Sequence, residues 1–104
     1  MRIVATEPFI GLKPDKEQAV KVLEEAAELY AAWQLYEQAK KLGDEKRVAA
    51  AARHFEDEAA DVVQAVGNLC DSEGVNDLRR AQKACTMRNR LRGRYGKAMK
   101  GSVG

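Results

Sequence analysis

Proline is nearly absent from the 104 residues: only Pro8 and Pro14 occur, so nothing after residue 14 is barred from helix by a locked φ or a missing amide. Cysteine is equally scarce. Cys70 and Cys85 are too few for a disulfide framework and lack CxxC spacing, and with one histidine, His54, they argue against a zinc site. They read as idle or buried thiols. Aromatic residues are few. The longest uncharged runs fall far short of the roughly 20 residues a membrane span needs, and the amino terminus lacks the basic-then-apolar layout of a signal peptide. A cytoplasmic protein without membrane contact is expected.

What remains is an ordinary apolar share on a chain of single-domain length. A domain this small buries a modest fraction of its surface, so a helical chain gains stability by covering a face with a copy of itself. The formal net charge of +2 conceals a division. Residues 1–77 hold nine basic residues and all sixteen acids, a balance of −7, whereas residues 78–104 hold nine basic residues and no acid, a balance of +9. The first part is suited to cations and the second to phosphates.

The pattern predicts an all-α fold of long antiparallel helices, completed as a bundle by homo-oligomerisation into a dimer or tetramer. Residues 1–14 read as an extended arm with a short apolar stretch (Ile3, Val4, Ala5) and a Pro8-Phe9-Ile10-Gly11 segment able to pack on a neighbouring subunit. Residues 15–96 form the helical domain, and 97–104 a loose tail. Asp15 followed by Gln18 is a helix start of the capping-box type, and Gly43 a stop. Asp44 restarts helix through an alanine-rich stretch to about Glu73, before Gly74. A third helix is expected from Asn76 or Asp77, fading around Gly93 to Gly96. The first helix carries two apolar stripes, Val22, Leu29, Trp33 and Tyr36 on one side and Val20, Leu23, Ala27 and Tyr30 on another. A helix apolar on two sides is buried on two sides.

Acids occupy positions of interest on both long helices. Glu24, Glu25 and Glu28 read EEAAE, spacings that hold all three on one arc. Glu58 and Asp61 read EAAD and share their wheel sector with Phe55, Val62, Ala65 and Leu69. An ionised carboxylate in an apolar stripe costs several kcal/mol unless something cationic or a proton compensates it. An all-oxygen cluster without Cys or His suits hard ions such as Mg²⁺ or Mn²⁺. The bland alternative is an exposed acidic face with local ion pairs.

Glu24-Glu25-Ala26-Ala27-Glu28 followed by Glu58-Ala59-Ala60-Asp61 resembles the all-α nucleoside triphosphate pyrophosphohydrolases of the MazG-like superfamily. Asp61-Val62-Val63-Gln64-Ala65-Val66-Gly67-Asn68-Leu69 is similar to that family's segment from metal-binding Asp to Asn, Gly74-Val75 to its helix end, and Lys83, Asn89, Arg92, Arg94 and Tyr95 to the segment that closes its site. Residues 15–96 are covered. The resemblance implies Mg²⁺ ligation by Glu25, Glu28, Glu58 and Asp61, with Glu24 holding a further ion or orienting the attacking water, so that Glu24 and Glu25 are the catalytic candidates. It also implies phosphate binding by the third-helix residues. The chain departs from the family pattern in the long interval between Glu28 and Glu58 and in the crowded series Arg88, Arg90, Arg92 and Arg94. A triphosphate brings about −4 to a set of five carboxylates, so two or three divalent ions are expected.

Three further residues carry two readings each. Trp33 either stacks on a nucleobase or belongs to core or interface. Asn68, seven residues beyond Asp61 and on nearly the same face, either contacts a base or sugar or satisfies a buried backbone group. His54, four residues before Glu58, either supplies a ligand or proton or is simply solvated. The function expected is Mg²⁺-dependent hydrolysis of a canonical or modified nucleoside triphosphate to monophosphate and pyrophosphate. A helical nucleic-acid-binding module gripping phosphates with residues 78–100 is the alternative, and an adaptor without catalysis a third.

Overall fold

The computed structural model of the chain describes residues 6–75 and 77–96, and all regular structure among them is helical: α1 Lys16–Leu42, α2 Glu45–Ser72 and α3 Leu78–Leu91. The apolar residues Ile3, Val4 and Ala5, the tail at 97–104 and the helix start expected at Asn76 fall outside the described residues.

The helix ends follow from local chemistry. The Asp15 carboxylate accepts from the Gln18 amide at 3.4 Å, and that of Asp44 accepts from the Lys46 and Arg47 amides at 3.0 and 3.4 Å, covering donors that the first turns leave unpaired. Gly43 closes α1 in the left-handed conformation (φ 72°), its amide donating to the carbonyls of Ala39 and Lys40, a geometry that costs glycine nothing. Asp77 precedes α3 without making a side-chain cap, and the helix stops at Leu91, short of the glycines that were expected to end it.

With only Gly43 and Asp44 between them, α1 and α2 fold back and pack lengthwise on each other. Tyr36 meets Phe55 at 5.7 Å between ring centroids near the connection, and Glu25 meets Glu58 and Asp61 farther along. The α1 side of this seam runs Val22, Glu25, Leu29, Ala32, Tyr36, Ala39, and the α2 side Phe55, Glu58, Val62, Ala65, Leu69, every one of them at least partly withdrawn from solvent. The three- and four-residue steps are those of two helices sharing one narrow contact.

That contact is the whole of the core. Ala32, Ala39 and Ala65 are the buried apolar residues among those described, and no large side chain is fully enclosed. Of the two stripes read on α1, the one with Val22, Leu29 and Tyr36 packs on α2, while the other stays open, with Leu23 71% and Tyr30 60% exposed. Trp33 sits at the border, stacked on Tyr30 with centroids 5.8 Å apart. The radius of gyration is 17.0 Å, against about 13 Å for a compact chain of this length. The molecule measures 46 × 42 × 18 Å, a thin plate, where domains ordinarily need a second layer to cover an apolar face. The helix α3 makes no packing comparable to that between α1 and α2. No helix is long and apolar enough to cross a membrane among the described residues.

Candidate metal centre

Two positions of the α1–α2 seam that call for apolar side chains hold glutamates, and they face each other. Glu25 enters from α1 and Glu58 from α2, with side chains only 13% and 16% exposed. Asp61, one turn beyond Glu58 and exposed at the rim, completes a set in which one carboxylate oxygen from each residue lies within 4.8 Å of the others. Glu28, one turn beyond Glu25, belongs to the same group: its pKa is raised above the ordinary 4.5, first by the charge on Glu25 and next by that on Glu58, with loss of solvation adding to both. Four acids spread over thirty-seven residues of chain therefore converge on one spot at the seam.

Charge compensation inside the chain is incomplete. The Lys21 ammonium approaches Glu25 at 3.4 Å from one turn earlier on α1, but Lys21 is largely solvated. His54 stands 3.9 Å from one oxygen of Glu58, beyond hydrogen-bond distance. The other Glu58 oxygen is buried without a hydrogen-bond partner among the described residues. A buried carboxylate oxygen with no donor among further carboxylates is a costly arrangement for the bare chain. It fits a hard divalent cation, for which oxygen donors from several carboxylates are the preferred set.

The remaining candidates fall in three places. Glu24 is exposed and does not join the cluster, lining a shallow surface groove with Lys16, Glu17, Val20 and Lys21. Trp33 lies two turns nearer the connection than Glu25, its ring against Tyr30. Asn68 is buried and occupied. Its side-chain oxygen accepts from the Phe9 amide at 3.1 Å and from the Gln64 amide group at 2.9 Å, while the same Gln64 nitrogen donates to the Glu7 carbonyl at 2.9 Å. Of the two readings of Asn68, the structure displays the one in which it satisfies a buried backbone group. Gln64 and Asn68 together clamp the arm, and Gly67 lets it come close: a Cβ there would overlap the Thr6 hydroxyl and lie 3.1 Å from its Cβ.

The residues Lys83, Asn89, Arg92, Arg94 and Tyr95 do not join the carboxylates within one chain. Among the described residues, none of the five hydrogen-bonds or ion-pairs with α1 or α2, and the Asn89 amide donates to Cys85 of its own helix. Two contributors were not foreseen from sequence. Lys21 follows the i, i+4 rule toward Glu25 and was legible in principle, whereas the Gln64 clamp joins residues 57 apart and no local pattern announces it.

No family model, curated protein or solved structure matches the chain.

Proposed function

We propose that the protein is a Mg²⁺-dependent nucleoside triphosphate pyrophosphohydrolase of the MazG-like kind. The observation that supports this reading most is the pair of glutamates set opposite one another in an otherwise apolar helix seam, joined by Glu28 and Asp61 and left without enough positive charge. Evolution ordinarily fills seam positions with alanine or leucine, and charges persist there for a function.

On this reading Glu25, Glu28, Glu58 and Asp61 hold the cation, Mn²⁺ being an acceptable substitute for Mg²⁺. When bound, the ion supplies Lewis-acid neutralisation of the charge on the phosphate oxygens. Glu24, free of the cluster and solvated, orients the attacking water. The water oxygen forms the new bond to phosphorus, the α–β phosphoanhydride bond breaks, and monophosphate and pyrophosphate leave. Lys83, Asn89, Arg92, Arg94 and Tyr95 hold the phosphates and close the site, and Trp33 borders the base. Asn68 supports the site by fixing the arm beside it.

The open face of α1 and the plate-like shape favour a homodimer or homotetramer in which antiparallel helices of two copies complete the bundle. Because α3 stands apart from α1 and α2 in one chain, its phosphate-binding residues meet the carboxylates in the assembled protein.

Incubating the protein with each nucleoside triphosphate and Mg²⁺ tests the proposal. Equimolar monophosphate and pyrophosphate are expected. Glu28→Gln and Asp61→Asn are each expected to lower turnover by at least a hundredfold with the helical circular dichroism unchanged, and full turnover in both variants refutes the assignment.

A further inference from the structure

The basic charge of residues 78–104, five of whose nine basic residues lie on α3, exceeds what a nucleotide site uses. Residues 78–104 carry +9, whereas a triphosphate offers about −4, some of it already neutralised by any bound cation. The surplus has a definite place. Leu78, Ala81, Gln82, Ala84 and Asn89 are partly covered, whereas Arg79, Arg80 and Lys83 lie exposed in another sector that half-covered Arg90 shares; Arg88 is exposed but falls between Ala81 and Ala84. The single ion pair of α3 among the described residues joins Arg80 to Asp77 at 3.3 Å, both well solvated, and such surface pairs contribute little. Arg79 has no acidic partner among the described residues, and neither Arg79 nor Arg80 has a part in the nucleotide site proposed above.

Spacing bears on the ligand. A helix of 14 residues is about 21 Å long, several times the reach of one triphosphate. It matches instead a polyanion with charges at about 3.4 Å per strand. Beside the cations the exposed side chains of Met87 and Leu91 offer apolar surface on which bases can lie. Guanidinium planes stack in the same way. An anionic membrane fits less well, since Met87 and Leu91 are too little apolar surface for a helix to insert.

We infer that the outward side of α3 binds the phosphodiester backbone of nucleic acid, at a site separate from the carboxylates. Fluorescence anisotropy of the full chain with labelled 20-nucleotide probes, in EDTA, tests this independently of the hydrolytic reading, because nucleotide turnover requires the metal and this binding does not. Single-strand and duplex probes identify the form preferred. With four phosphates neutralised, raising NaCl from 50 to 200 mM is expected to weaken binding about 50-fold for a single strand and about 150-fold for a duplex. The double variant Arg79→Ala, Arg80→Ala is expected to bind at least tenfold more weakly, with a shallower salt dependence and unchanged triphosphate turnover. Failure to bind either probe at 50 mM NaCl, equal binding by the variant, or tighter binding to phosphatidylserine vesicles than to both probes overturns the inference.

Discussion

Replacing Glu58 by glutamine is expected to raise the stability of the metal-free protein and to lower that of the Mg²⁺-bound protein. Glu25 and Glu58 bring oxygens within 4.8 Å of each other at a seam that withdraws both from solvent. Two unit charges at that distance repel by about 3.5 kcal/mol at an effective dielectric of about 20. Lys21, 3.4 Å from Glu25, offsets much of this, and water at the rim screens more. A relief of about 1 kcal/mol on removing the Glu58 charge is a reasonable remainder, worth roughly 4–8 °C in Tm for a chain of about 100 residues. With the ion present the sign reverses. Mg²⁺ at a hundred times its Kd stabilises the wild-type chain by about 2.7 kcal/mol, and an amide in place of the carboxylate loses most of that gain.

The two melting curves should therefore change order between EDTA and saturating MgCl₂. Far-UV circular dichroism at fixed protein concentration and matched ionic strength reads this directly. A variant less stable than wild type in EDTA would show that Glu58 is not repelled by Glu25, and one with an unchanged response to Mg²⁺ that it is not a ligand.

Glu28 has a pKa raised by Glu25 and Glu58, so it binds its proton more tightly folded than unfolded. Its destabilising effect is complete above the raised value and vanishes as pH falls below the ordinary 4.5. In EDTA the protein is thus expected to gain Tm on mild acidification towards that window, and a Glu28→Gln variant lacking any such difference from wild type supports no coupling. Gly67→Ala should dislodge the arm from Gln64 and Asn68, costing about 1–3 kcal/mol for buried groups left unpaired against about 1 kcal/mol of helix propensity regained. Combining it with Thr6→Ala in a double-mutant cycle should give a coupling above about 0.5 kcal/mol, and simple additivity refutes the close approach. Leu23→Glu on the open face of α1 should reduce the mass measured by light scattering, whereas an unchanged mass places the contact between copies elsewhere.

The helices and the acid cluster were legible in the sequence because both are local facts. Asp15, Gly43 and Asp44 mark boundaries through contacts within four residues, and EEAAE and EAAD declare by spacing which acids share a face. The stripe containing Glu58 identified that carboxylate as out of place before any contact was known. Less was legible wherever a residue's partner is far away in sequence. Asn68 follows Asp61 by seven residues and so lies on nearly the same side of α2, yet periodicity does not reveal whether that side faces a ligand or a returning segment of the same chain. The arm at Glu7 and Phe9 takes it. Likewise the second stripe of α1 announces a need for cover without saying what provides it, and the basic pattern of α3 says nothing of where the helix lies.

The seam acids and the thin core have to be considered together. A two-helix contact built on Ala32, Ala39 and Ala65 buries little apolar area, and at about 25 cal/mol per Å² it offers small reserve against repulsion between facing carboxylates. Moving Glu25 and Glu58 outward would remove the repulsion but also disperse the oxygens that, on the proposed reading, hold a small hard ion. On the proposed reading the chain keeps the acids in the seam and recovers the deficit twice, from the bound ion and from a second copy laid on Leu23 and Tyr30. Both act by stabilising the folded state alone, so they must be thermodynamically linked. Mg²⁺ should then tighten self-association, and dilution should weaken the apparent affinity for Mg²⁺, a reciprocity that an isolated surface patch of acids does not produce.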